Sequence, residues 1–196
     1  DYIDLYQCHR YDDETPLDET VRAMGDLMAQ GKILYWGVSC WTPAQILDAC
    51  HIADALGCAR PISNQPQYSL LCRDIEQEVI PLCDREGLGQ VVWSPLAQGV
   101  LTGKYTGGKA PAGSRGADEK RNGFMKGHLQ EEVLDLVDQL VVIARELGVS
   151  EVALHATQFD PPVGLVRRRE NQWRNRAVIK KSDARRALGK VVVDEG

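Results

Sequence analysis

Two hydrophobic periods alternate along the first 150 residues. Tyr2–Cys8, Ile33–Val38, Pro61–Asn64 and Gln90–Trp93 are short, mostly apolar runs of strand length. Between and after them apolar residues recur at helical spacing. Leu17, Val21, Met24 and Met28 make one stripe and Ile46, Ala49, Cys50 and Ala53 a second. Asp74–Arg85 forms a third helix. Leu134, Val137, Val141 and Ala144 line a last one, over about Gln130–Leu147. The starts carry signals of their own. In Thr15-Pro16-Leu17-Asp18, Thr15 can N-cap, Pro16 suits the first helical position and Asp18 completes a capping-box pattern; Thr42-Pro43-Ala44-Gln45 repeats that chemistry. Gly31, Gly57, Gly87 and Gly148 stand where the helices should stop. Pro81 is expected to kink the third helix or mark its weakest point. From about Ser94 to Gly127 runs a long loop rich in Gly, Lys and Pro.

The strands therefore begin roughly every 30 residues, the size of a βα unit in a parallel sheet. Two architectures fit, a doubly wound sheet and a (β/α)8 barrel. No GxGxxG follows any strand, which argues against the dinucleotide-binding doubly wound fold. A barrel takes about 250 residues; with 196, this chain would be part of one. It opens at Asp1 and enters a strand at once, which reads as a truncated start.

Composition is that of a globular chain, with 43% apolar and 26% charged residues, and no apolar run of membrane-spanning length or signal peptide. Six cysteines form no CxxC pair and no Cys/His cluster of zinc spacing, so a reducing cytoplasm is expected and no metal site. Cys50 and Cys83 fall on apolar stripes as small hydrophobes. The net charge of −5 is unevenly spread. Arg167–Lys190 holds ten Lys/Arg against two acids, leaving the remainder strongly acidic. A nucleic-acid arm is one reading of that stretch. It has only Trp173 as a stacking aromatic and no recognisable nucleic-acid module, so none is expected.

In parallel βα folds ligands bind at the C-terminal ends of the strands. Cys8-His9-Arg10, Ser39-Cys40-Trp41, Ser63-Asn64-Gln65 and Trp93-Ser94-Pro95-Leu96 occupy those places. Each has an ordinary structural explanation: a hydrogen-bonded histidine, a turn serine, a glutamine satisfying backbone, a core tryptophan. Together, four decorated strand ends could line one pocket.

DYIDLYQCHR, GKILYWGVS and VVWSPLAQGVLTGKY resemble stretches of the aldo-keto reductases, in particular the branch of potassium-channel β subunits and related bacterial reductases. The resemblance covers about residues 1–150 and implies a partial (β/α)8 TIM barrel that begins at about the fourth strand. The whole chain then reads as one incomplete domain with a divergent basic tail over 151–196. By the same resemblance His9 is the active-site histidine that orients and polarises a substrate carbonyl. Ser39 and Gln65 hold the nicotinamide carboxamide, although the neighbour of Ser39, often Asn in the family, is here Cys40. Trp93 stacks on the nicotinamide ring. Ser94, Pro95, Leu96 and Lys104 belong to the loop around the pyrophosphate, and Arg115 lies near the nucleotide phosphates. The implied cofactor is NADP(H), the implied activity reduction of aldehydes or ketones to alcohols, and the implied partner a small carbonyl compound. A cofactor-binding regulatory protein on the same scaffold, like the channel β subunits, is the alternative, and a non-functional fragment a third.

The family's catalytic Asp, Tyr and Lys belong to barrel units that precede this segment. Tyr2, Tyr6 and Tyr11 do not match the motif of its acid. At the other end Asp160-Pro161-Pro162 interrupts a helix, and only fragments such as Lys181-Ser182 look familiar. A tail read in a shifted frame, or one diverged without constraint, would explain the abrupt change in composition. An incomplete barrel leaves open strand edges, through which self-association is expected.

Overall fold

A computed structural model describes residues 1–105, 107, 109–118, 123–148 and 150. The basic stretch, the Asp160-Pro161-Pro162 interruption and Lys181-Ser182 lie outside these. The described residues form two compact units, one of Asp1–Tyr68 with Cys72–Trp93, the other of Ser69–Leu71 with the described residues of 94–150.

In the first unit four strands, β1 (Ile3–Cys8), β2 (Ile33–Val38), β3 (Ser63–Asn64) and β4 (Gly89–Gln90), form a wholly parallel sheet in the order β1-β2-β3-β4. Helices α1 (Leu17–Ala29), α2 (Pro43–Leu56) and α3 (Val79–Glu86) alternate with them. Each strand lies beside its neighbour in sequence. A doubly wound sheet reverses its order at a switch point, so this order is an arc of a barrel. The helices pack as one row, α1 on α2 and α2 on α3. Their core takes in Trp36 and Val38 of β2 with Val21, Met24, Ile46, Ala49, Cys50, Ala53, Leu82 and Cys83.

The opposite face of the sheet is set by register. Gln7, Gly37, Ser63 and Gly89 stand side by side across the four strands. Gln7 Nε2 donates to Ser63 Oγ at 2.9 Å, passing over Gly37. A Cβ on Gly37 would lie 2.2 Å from Ser63 Oγ and 2.5 Å from Gln7 Oε1, so only glycine lets this row close.

Local signals were realised unevenly. Thr42 makes the full capping box of α2, accepting from the Gln45 backbone N–H while the Gln45 side chain accepts from the Thr42 N–H; Gly57, left-handed, ends that helix. The box predicted at Thr15 does not form. Pro16 occupies the cap position of α1, and the Thr15 hydroxyl donates instead to Asp12 Oδ2 at 2.7 Å. The predicted Asp74–Arg85 helix is split into a single 3-10 turn (Asp74–Glu76) and α3. Pro81 explains the split. Its ring excludes a helical carbonyl four residues back, at Gln77, so the chain restarts with Pro81 in the first turn, where no N–H is needed. The fourth strand keeps only two laddered residues, with Trp93 rejoining through a parallel bridge to Gln67.

The second unit has its own core. Leu134, Val137, Leu140, Val141 and Ala144 on α4 (Glu131–Glu146) cluster with Ala97, Val100, Leu101, Tyr105 and Met125. Among its described residues the predicted long loop contains short 3-10 segments at Ala97–Thr102, Arg115–Ala117 and Gly123–His128.

Candidate functional site

Parallel pairing puts the C-terminal ends of β1–β4 at one edge of the first unit, and the predicted residues sit there. His9 is one residue past β1, Ser39 one past β2 and Gln65 one past β3. By strand alternation Ser39 and Gln65 continue the face that carries Gly37 and Ser63, away from the helices. His9 is exposed, and its ring has no hydrogen-bond partner among the described residues.

Three of the predicted residues are brought into one cluster. Ser39, 1% exposed, donates its hydroxyl to the Gln65 carbonyl at 2.8 Å. The Gln65 N–H donates to the Val38 carbonyl at 2.8 Å, which extends the β2–β3 pairing to the site. Trp93 is half-buried, and its indole Nε1–H donates to Cys40 Sγ at 3.4 Å. Cys40 in turn donates to the Gln65 carbonyl at 3.6 Å. Its backbone is left-handed, with φ +57°. Cys40 is therefore the member that joins Trp93 to Ser39 and Gln65. Sequence pattern marked it only as a departure from the family; nothing in its own neighbourhood in sequence announces Trp93, fifty-three positions away.

The second unit holds the remaining predicted residues around one irregular turn. Ser94, Ala97 and Gln98 adopt positive φ without being glycine, and Gly99 follows at φ +94°. Each such residue stores about 1–3 kcal/mol of strain, typical of ligand-gripping turns. Gln98 donates to Ser94 Oγ and accepts from the Arg115 guanidinium. Lys104 folds back over the same turn: a Cβ on Gly99 would meet its Nζ at 2.8 Å. Two cations from different segments thus reach consecutive residues, Gln98 and Gly99. Arg115 is held in place from behind, since the next residue, Gly116, donates its N–H to the Tyr105 hydroxyl at 3.2 Å and Tyr105 is 1% exposed. Pro95 is exposed and Leu96 half-buried. Gln98 went unrecognised in the sequence because its role exists only once the left-handed turn forms.

Each cluster, taken by itself, offers groups of a kind that a nucleotide ligand can use. The Ser39 oxygen still has lone pairs free after donating, and the Gln65 side-chain amide has no partner among the described residues. These are the groups a carboxamide needs. The glycine-lined cradle under Lys104, with Arg115 beside it, suits phosphate charge. Among the described residues no group of three or more His, Cys, Asp or Glu could hold a metal ion, and no helix is long and apolar enough to cross a membrane.

Comparison with known proteins agrees with the fold. The sequence profile of the aldo/keto reductase family matches residues 1–159. A probable voltage-gated potassium channel subunit beta of Oryza sativa subsp. japonica is 46% identical over 151 residues, covering 76% of this chain and 46% of that protein. Its Arabidopsis thaliana counterpart is 45% identical over the same shares. A putative one from Schizosaccharomyces pombe is 40% identical over 169 residues, 83% of this chain and 48% of the relative. Among solved structures the glycerol dehydrogenase of Gluconobacter oxydans superposes with a TM-score of 0.66 at 27% identity, over 83% of this chain and 48% of that one. The chain thus spans about half the length of the relatives it matches. A profile match over most of the chain, relatives of 40–46% identity and an ordered parallel arc lead to one conclusion: the chain belongs to the aldo/keto reductase family, and its described strands are part of an α/β barrel.

Proposed function

We propose that the protein is an oxidoreductase that reduces aldehydes or ketones with NADPH, and that this segment supplies the grip on the cofactor. The cluster of Ser39, Gln65 and Trp93 at adjacent strand ends carries the reading. When bound, the cofactor supplies the hydride. The residues do the rest. Ser39 and Gln65 fix the rotation of the carboxamide, and Trp93 backs the flat ring, which together set its orientation. Lys104 and Arg115 offset phosphate charge, while Ser94, Pro95 and Leu96 wrap that region. His9 offers an imidazole N–H to the substrate carbonyl oxygen and polarises it.

NADPH titration followed by tryptophan fluorescence tests the reading. Saturable quenching is expected, and its loss in Trp93→Ala. On the reading that Arg115 meets the 2′-phosphate, which NADH lacks, Arg115→Ala should weaken NADPH about tenfold, the worth of a charge-assisted hydrogen bond, and leave NADH nearly unchanged. A folded chain that shows no quenching overturns the proposal; equal loss for both nucleotides overturns the NADPH preference.

A second reading is a cofactor-binding regulatory protein. It is favoured by the names of three relatives, all potassium channel β subunits. Turnover of a simple aldehyde by the whole protein, abolished by His9→Ala with NADPH binding kept, supports the enzyme. Binding without turnover supports the regulatory reading.

A further inference from the structure

We infer that Cys40 is a positioning residue, which sets the Trp93 indole for the ring it backs; the inference rests on the nicotinamide reading of Ser39, Gln65 and Trp93. Three observations carry it.

The first is connectivity. The Cys40 sulfur accepts the Trp93 indole N–H at 3.4 Å and donates to the Gln65 carbonyl at 3.6 Å. That same carbonyl accepts the Ser39 hydroxyl at 2.8 Å, which uses both of its lone pairs. One thiol thus couples the indole to the backbone that holds the carboxamide-gripping pair.

The second is how firmly the sulfur is placed. Ser39 before it is 1% exposed and Trp41 after it 4% exposed. Trp41 is further fixed edge-on to Tyr11, with centroids 5.0 Å apart. Between two buried neighbours, the left-handed backbone of Cys40 aims its short side chain at the indole. Left-handed φ is unfavourable for a side chain with a Cβ, and the Cys40 contacts are what this conformation obtains.

The third is the state of Trp93 itself. It is half-buried, its backbone pairs with Pro66 and Tyr68, and among the described residues the Cys40 thiol is the hydrogen-bond partner of its indole N–H. The backbone bonds do not fix the side-chain torsions, so loss of the thiol contact opens other rotamers to the indole.

The test uses Cys40→Gly, which removes the sulfur while relieving the left-handed backbone and so should fold, and Cys40→Ser, which restores a donor and an acceptor. The Trp93 emission is isolated in each background by subtracting the spectrum of its Trp93→Phe partner. In the ligand-free chain we expect Cys40→Gly to raise and shift that emission, as the quenching thiol leaves, and Cys40→Ser to return its position towards that of the parent. NADPH should bind Cys40→Gly about 3- to 10-fold more weakly, as loss of one net hydrogen bond implies, with recovery in Cys40→Ser. A Trp93 emission indifferent to Cys40→Gly overturns the inference whether or not NADPH binds. A changed emission with unchanged NADPH affinity overturns it too, since the indole would then be set without consequence. Should the parent chain bind no NADPH, the nicotinamide reading fails and takes the positioning role with it, while the emission comparison still reports separately whether Cys40 sets the indole.

Discussion

Gly37 shows how one residue can govern a sheet. Its missing Cβ is the space through which Gln7 reaches Ser63, so Gly37→Ala would press a methyl group onto two polar side chains and the Ser63 carbonyl, 2.7 Å away. Overpacking of this kind costs about 1–3 kcal/mol. Urea unfolding should show the midpoint falling accordingly; an unchanged midpoint would mean that the Gln7–Ser63 contact is dispensable. Ser39 and Gln65 lie two residues beyond Gly37 and Ser63, so the substitution should also weaken NADPH binding. At this scale the sequence was informative about residue types at strand ends and silent about their bonds. Ser39 and Gln65 were nameable from a motif, but that the Ser39 hydroxyl spends its proton on the Gln65 backbone depends on two strands meeting in register. Cys40 and Gln98 belong to the same class, defined by partners far away in sequence or by a left-handed turn that no local preference predicts.

Elements are where local chemistry decides, and the two threonine caps separate a realised signal from an unrealised one. Thr42 and Thr15 both precede a proline and have a capping-box partner three residues on. Only Thr42 caps; Thr15 has a competing acceptor in Asp12, which turns its hydroxyl back into the preceding loop. Thr42→Ala should therefore cost about 1 kcal/mol, whereas Thr15→Ala should cost less than about 0.5 kcal/mol. Equal effects in urea titrations would contradict the assignment. Pro81 likewise acted through a principle visible in the sequence, but its consequence, a restart rather than a kink, depended on where the first turn could begin.

Helix α2 also predicts an alkaline response. Burial pushes the Cys50 thiol up to about 11, from an ordinary value near 9.0. The fully buried Cys83 is raised as well, again chiefly by desolvation. A raised thiol favours the protonated folded state, so this stability is complete below about pH 9. It declines as the unfolded chain ionises first, and is gone above the folded value. The melting temperature should fall between about pH 9 and 11, and Cys50→Ala should flatten that fall. A decline of the same steepness in the variant would place its origin elsewhere.

For the whole molecule, strand order settles what periodicity left open. A βα repeat of about 30 residues suits both parallel architectures. Of those two, sequential neighbours with α1, α2 and α3 in one row fit the barrel arc. That arc has a physical consequence. Parallel sheets are ordinarily covered on both faces. Here Ile3, Tyr35 and Val91, which alternation places on the face away from the helices, are 51%, 51% and 44% exposed, and β1 is an outer strand of the described sheet. Exposed apolar side chains on this face, beside an edge unpaired among the described residues, are a template for association, and a second copy at high concentration presents the same surface. The chain is expected to sediment as concentration-dependent oligomers, and Tyr35→Lys, which puts a charge in the centre of that face without touching the helix-side core, should shift it towards monomer. The substitution also separates two causes. Association through the face responds to Tyr35→Lys, whereas association through the β1 edge alone does not, because the edge offers only backbone groups. A parent chain that sediments as a single monomeric species at all concentrations and melts in one sharp transition would show that neither the face nor the edge drives association.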